Sequence, residues 1–266
     1  MAMATVFGTP ISFVDTGSGA PALVLLHAFP LHSGMWDDQV ATFSAHRRVV
    51  APDLPGFGST PALGDGPAPT MGRFADLVAG LIDQLGIAPA VVCGLSMGGY
   101  VTFALLRRRP ELVAGVVLAD TRAGADSAEV AERRTTQAAQ VADRGTAELV
   151  DTMVGNLLSD ETRARRPEVV ERARALMAAS SPAGVVAALE AMRARPDASA
   201  ELAAIHVPAL VVVGEHDAPS PPAEARAMAD ALPDAHVEVV AGAGHLSSLE
   251  APASFNDAVA AFLSRF

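Results

Sequence analysis

The sequence predicts an α/β fold built on a mostly parallel, eight-stranded sheet flanked by helices. Three observations carry this reading. Short apolar, β-branched runs recur along the chain, and most are followed by a helical pattern rather than a hairpin turn. One run, Val91-Val92-Cys93, passes directly into Gly94-Leu95-Ser96-Met97-Gly98 and then into a helix-forming stretch over residues 100–109. Residues 126–196, in contrast, contain no strand pattern. With 266 residues, half of them hydrophobic, the chain can bury a sizeable core as one large domain or as a domain with an insertion.

Residues 5–7 and 11–14, either side of Gly8-Thr9-Pro10, predict an opening hairpin. Apolar runs at 22–26, 49–51, 91–93, 116–119 and 210–213 supply the next strands, and 237–240 closes the series. Between them, Phe74, Leu77, Val78, Leu81, Ile82 and Leu85 recur at the spacing of an amphipathic helix over residues 71–85. The strandless stretch is rich in Ala, Glu and Arg, with helix breaks at Gly145, Pro167 and Pro182-Ala183-Gly184. It is too long for one crossover, so residues 126–196 are expected to form a helical lid inserted in a core of residues 1–125 and 197–266. Its Met153, Leu157, Leu158, Met177, Leu189 and Met192 predict a mainly apolar pocket.

Composition excludes several function classes. A net charge of −11 argues against nucleic acid and anionic membrane surfaces as partners. Every basic residue is arginine, which removes lysine Schiff bases, a pyridoxal-phosphate anchor and a P-loop lysine. The single Cys93 permits no intramolecular disulfide, and its place in an apolar run suits packing. No signal-peptide pattern opens the chain and no apolar run approaches a membrane span, so a cytoplasmic location is expected. A dinucleotide fingerprint needs G-x-G-x-x-G, but Ser96 holds the position of its second glycine. Gly56-Phe57-Gly58 has no third glycine in register. The histidines lack ligand spacing, so neither a cofactor nor a metal is expected.

G-x-S-x-G between a strand and a helix places its serine on a sharp, strained turn, where only small neighbours fit. Gly94 and Gly98 meet that need for Ser96. A serine is a poor nucleophile without a base, and the base needs a carboxylate to fix its tautomer. In this architecture the partners follow in the order Ser, acid, His, each in a loop after a strand. Asp217, in Gly214-Glu215-His216-Asp217, and His245, in Gly242-Ala243-Gly244-His245, satisfy that order. Glu215 and Asp120 compete for the acid position. His216 would point away from Asp217 on locally extended backbone, while His206 and His236 are read as preceding strands.

A tetrahedral intermediate also needs two amide donors. The backbone of Met97 supplies one, and that of Phe29, in His27-Ala28-Phe29-Pro30, supplies the other, with its ring walling the acyl site. Ala28 stands where glycine is common and suits the place if its φ is negative. The stretch Asp53-Leu54-Pro55-Gly56-Phe57-Gly58-Ser59 reads as a structured loop with a folding role.

Through H-A-F-P, D-L-P-G-F-G-S, G-L-S-M-G-G, G-E-H-D and G-A-G-H, the chain resembles the α/β-hydrolases over nearly its whole length. The similar group includes 3-oxoadipate enol-lactonases, carboxylesterases, cofactor-free haloperoxidases and carbon–carbon bond hydrolases. The likeness to enol-lactonases is strongest in the core and in Leu118-Ala119-Asp120-Thr121-Arg122. It fades in the lid, which lacks the tryptophan usual there; Trp36 is the single Trp. The resemblance implies a serine hydrolase of a small carboxylic ester or lactone, without cofactor, working as monomer or homodimer. Trp36, Arg122, Leu157 and Met192 are the expected substrate contacts, with Arg122 placed to hold a substrate carboxylate or else salt-bridged at the surface. Related uses of the same residues are peracid formation with hydrogen peroxide, carbon–carbon cleavage, and slow-turnover ligand reception.

Overall fold

The structure, a computed structural model, describes residues 1–64 and 68–266. Its strands are β1 (Ala2–Val6), β2 (Thr9–Thr16), β3 (Leu23–Leu26), β4 (Val49–Pro52), β5 (Ala90–Leu95), β6 (Val113–Ala119), β7 (Ala209–Gly214) and β8 (Ala235–Val240). They form one eight-stranded sheet in the order β1-β2-β4-β3-β5-β6-β7-β8. The opening hairpin pairs antiparallel and β2 pairs antiparallel with β4; every other pairing is parallel. The sequence pattern underestimates the hairpin because the polar ends of its strands, such as Asp15 and Thr16, carry no apolar signal. His236 lies inside β8 rather than before it, since exposed edge residues interrupt the apolar run there.

Alternate side chains of the inner strands feed two separate cores, as the period of two requires. On one face Val24, Leu26, Val92, Val116, Leu118 and Val211 meet α2 (Met71–Leu85), α3 (Met97–Arg108) and α9 (Pro222–Ala231). On the other, Leu23, Leu25, Val91, Cys93, Val117 and Val212 meet α1 (Asp37–Phe43) and α11 (Pro252–Leu263). Helix α2 has the predicted bounds. Thr70 caps its first turn by accepting from Arg73 N–H at 3.0 Å, and Gly86 ends it with φ +62°.

Between β6 and β7 run five helices: α4 (Ala128–Arg144), α5 (Ala147–Leu157), α6 (Asp160–Arg165), α7 (Pro167–Ala178) and α8 (Pro182–Arg193). Gly145 ends α4, and prolines open α7 and α8, where a missing N–H costs nothing. Helix α8 is fastened to the loop after β4 by backbone contact. A Cβ on Gly56 would lie 2.2 Å from the Gly184 Cα, so neither position admits a side chain. The short α10 (Ser247–Glu250) precedes α11. No single helix among the described residues is long and apolar enough to cross a membrane.

Candidate active site

The parallel strands end at one edge of the sheet, and the loops leaving β3, β5, β6, β7 and β8 converge there. Ser96 sits at the β5–α3 turn with φ +53°, a region unfavourable to any L side chain. The turn is held by Ser96 N–H donating to Ala119 O at 2.9 Å and by Thr121 Oγ1 donating to Ser96 O at 2.9 Å. Its glycines are steric requirements. A Cβ on Gly98 would lie 2.1 Å from Leu26 O, and one on Gly94 would lie 2.3 Å from Gly98 O. Helix α3 can therefore pack close against β3 only with these two glycines.

Ser96 Oγ is 2.8 Å from His245 Nε2, and His245 Nδ1 is 2.8 Å from Asp217 Oδ1. His245 and Asp217 are buried, while Ser96 opens onto a cavity. Asp217 Oδ1 also accepts from Ser220 N–H at 2.8 Å, which fixes the carboxylate plane. Burial works against protonation of His245, but the Asp217 charge and hydrogen bond, helped by Asp120, lift its pKa above the usual 6.5.

The rival acids are placed elsewhere. Glu215 is exposed and accepts from Gly242 N–H at 2.9 Å. Asp120 is buried behind the pair and binds Gly214 and Ser247 rather than the imidazole. His216 is exposed at the cavity rim on a turn rather than on extended backbone, with its Nε2 3.9 Å from Glu215 Oε2.

Met97 is the first residue of α3, so its amide has no intrahelical acceptor. Neither it nor the Phe29 amide donates to a backbone acceptor among the described residues. The Phe29 ring lines the cavity and packs edge-on against Phe57. Ala28 does not adopt positive φ, which explains why glycine is not needed there.

His27 plays a part the sequence does not announce. Its Nδ1–H donates to Ala28 O at 2.9 Å while Nε2 accepts from Leu54 N–H at 2.9 Å, tying the loop after β3 to the loop after β4. Full burial drives its pKa down to about 4, so the ring stays neutral and keeps this tautomer. Asp53 braces the same region, accepting from Ser33 N–H and Ser59 N–H at 2.9 Å each. The expected folding role of this loop is thus to shape the segment that presents Phe29.

Above Ser96 lies a cavity of about 890 Å³. Arg122, Leu157 and Met192 line it, but Trp36 does not. Trp36 is fully buried in the second core, because its 3-10 turn packs beside α10 and α7 and its ring lies against Phe255 of α11. The expectation of a mainly apolar pocket holds only in part. Met153, Leu157, Leu158 and Met192 line the cavity, but Met177 and Leu189 are buried in the two cores, and Arg133, Arg134, Gln137, Asn156 and Arg163 share the wall. Asp126 is buried among three arginines, with Arg134 Nε at 2.5 Å, Arg195 Nη1 at 2.7 Å and Arg122 Nη2 at 3.5 Å. Burial opposes its charge, yet Arg134 and Arg195 hold the carboxyl below its usual range. The inserted helices also touch the base loop: His245 N–H donates to Leu157 O at 2.8 Å, and Glu250 accepts from both Gly244 N–H and Ser159 N–H at 2.9 Å.

Residues 21–252 match the family model described as alpha/beta hydrolase fold. The chain belongs to that family. As an α/β-hydrolase it is 38% identical to a thermophilic esterase from Thermogutta terrifontis, in a malate-bound structure, with a TM-score of 0.94 over 99% of this chain and 98% of that one. It is 32% identical to the enol-lactonase from Burkholderia xenovorans, with a TM-score of 0.90 over 99% and 100% of the two chains. Among curated proteins, 3-oxoadipate enol-lactonase 2 of Acinetobacter baylyi is 31% identical over 248 residues, 92% of this α/β-hydrolase and 90% of the relative. These likenesses support ester hydrolysis as the chemistry.

Proposed function

We propose that the protein is a serine hydrolase that cleaves a small carboxylic ester or lactone through an acyl-enzyme. The observation that carries the reading is the unbroken hydrogen-bond chain Ser96–His245–Asp217 at the floor of a closed-over cavity. His245 Nε2 removes the Ser96 proton as Oγ bonds to the substrate carbonyl carbon. The oxyanion that forms is held by the amides of Met97 and Phe29. Collapse expels the alkoxide, which takes the proton from His245. Water then attacks the acyl group and loses its proton to His245, and the second collapse returns Oγ to its hydroxyl as the acid departs. The five helices between β6 and β7 act as the lid that keeps bulk water from this sequence.

The test is turnover of p-nitrophenyl acetate, butyrate and octanoate, together with labelling by a p-nitrophenyl phosphonate. Chain-length-dependent hydrolysis that stops as one phosphonate attaches to Ser96 is the expected result. Failure to hydrolyse any of the three, with no label on Ser96, rejects the reading.

Arg122 refines the substrate class. Its Asp126 contact, at 3.5 Å, is the longest of the three, and its Nε is buried without a partner. Asp126 is already satisfied by Arg134 and Arg195, so Arg122, which also bonds Tyr100, can give up its long Asp126 contact for a substrate carboxylate, as an enol-lactone bearing an acid side chain would offer. Arg122→Ala should raise KM for monoesters of dicarboxylic acids by roughly tenfold, the loss of one charge-assisted contact. KM for neutral esters of equal length should stay within about twofold, and an equal rise for both would assign Arg122 to structure alone.

A further inference from the structure

Behind the hydrogen-bond chain lies a second buried carboxyl that the reaction sequence above leaves unused. Asp120 follows β6 directly, is wholly inaccessible to solvent, and holds φ +44°. Aspartate and asparagine enter that region at less cost than other side chains with a Cβ. Three donors converge on it. Gly214 N–H reaches Oδ1 at 2.8 Å, while Ser247 N–H at 3.2 Å and the Ser247 hydroxyl at 2.5 Å reach Oδ2. Gly214 ends β7, three residues before Asp217, and Ser247 stands two residues after His245.

We propose that Asp120 is a positioning residue: its two oxygens fasten the loop carrying Asp217 to the loop carrying His245, and so set the Asp217–His245 hydrogen bond. The segment before His245 is already tied to the acid loop, by His216 N–H donating to Ala243 O at 2.8 Å. Asp120 does the same for the segment after it, so the base is held on both sides. The charged and titratable groups that face Asp120 are Asp217, His245 and the Cys93 thiol beneath. Burial, then the Asp217 charge, raise its carboxyl well above the ordinary range. A buried carboxyl without a contacting cation lowers stability relative to an apolar filler. Its place here is therefore better matched to geometry between two loops than to fold stability.

This inference rests on the serine hydrolase reading, and its test keeps the two apart. Asp120→Asn preserves size and tolerance of positive φ, but sets an NH2 group, which cannot accept, against one of the two backbone N–H donors that reach the carboxyl oxygens. It can no longer accept from both Gly214 and Ser247. Ser247→Ala removes the hydroxyl from the other side of the same contact. For each, kcat and KM on p-nitrophenyl butyrate, Tm, and the far-downfield proton resonance of His245 Nδ1–H are compared with wild type. Asp120→Asn should lower kcat by about ten- to a hundredfold with KM within about twofold, as expected for a base moved by a fraction of an ångström. The resonance should shift or broaden, and Ser247→Ala should move both in the same direction by less. An unmoved resonance in both variants overturns the role, whether kcat is unchanged or falls only in step with Tm. Should Asp120→Asn not fold, Ser247→Ala decides by the same readouts. A wild type that neither turns over esters nor takes the phosphonate overturns both readings. An active wild type with unmoved resonances overturns the Asp120 role alone.

Discussion

Ser96→Ala is expected to lower kcat for p-nitrophenyl butyrate by about 10⁴- to 10⁶-fold, the scale seen when a hydrolase loses its nucleophile. KM and Tm should barely move. Alanine keeps the Cβ of serine, so the φ of +53° is neither more nor less strained, and the Ala119 and Thr121 bonds that hold the turn involve only the backbone of residue 96. What disappears is the hydroxyl 2.8 Å from His245 Nε2, and with it the acyl-enzyme. Residual turnover would come from water held by His245 and from the two amide donors. Steady-state rates settle the point: a variant keeping more than a tenth of wild-type kcat would mean that Ser96 does not form the ester bond.

Asp217→Asn is the second large effect, about 10³-fold or more in kcat/KM. The geometry can persist, but an amide NH2 turned toward His245 Nδ1 donates to it and places the ring proton on Nε2, the tautomer that cannot take the Ser96 proton. The substitution also removes the negative charge that stabilises the imidazolium. That charge also shapes the pH profile. In the wild type His245 must be neutral to act as base, so kcat/KM is present above its pKa and lost as pH falls through it. The acid limb should lie above 6.5, where the Asp217 charge places the imidazole against the opposing effect of burial. In Asp217→Asn burial prevails and the limb moves to lower pH, which narrows the gap between the two enzymes under acid conditions. If Asp217→Asn cost less than tenfold while Asp120→Asn abolished activity, the acid would be Asp120.

What the sequence reveals of this molecule follows from how local each constraint is. The parallel sheet is legible because buried strands must be apolar on both faces, and Val91, Val116 and Val211 each stand in such a run. Ser96 is legible because close packing of α3 on β3 excludes any side chain at Gly94 and Gly98. His245 and a short set of acids can be singled out because strands β6, β7 and β8 deliver them to the same sheet edge. Which carboxylate meets the imidazole is different in kind. Asp120, Glu215 and Asp217 all lie past the ends of β6 and β7, and only the paths of the loops separate them. Trp36 shows the same limit. Its distance along the chain from the H-A-F-P segment does not say that its ring meets Phe255 instead of the cavity. The bond from Leu54 N–H to His27 likewise depends on β3 and β4 being neighbours, which no local pattern encodes. The arginines of the cavity wall are hidden because they interleave along the same helices with the apolar residues that also line it, such as Met153 and Leu157, and only the packed helices show which side chains face inward.

Glu250 gives the inserted helices a second significance for anyone who wishes to exchange them. One carboxylate joins Ser159, at the start of α6, to Gly244, next to His245, and Leu157 O takes the amide of His245 itself. A chimera that borrows residues 126–196 from a relative would therefore import part of the mounting of His245 along with a new cavity wall. Recombination that aims to change specificity without changing rate has to keep residues 157–159 with their own Glu250, and vary the helices on either side.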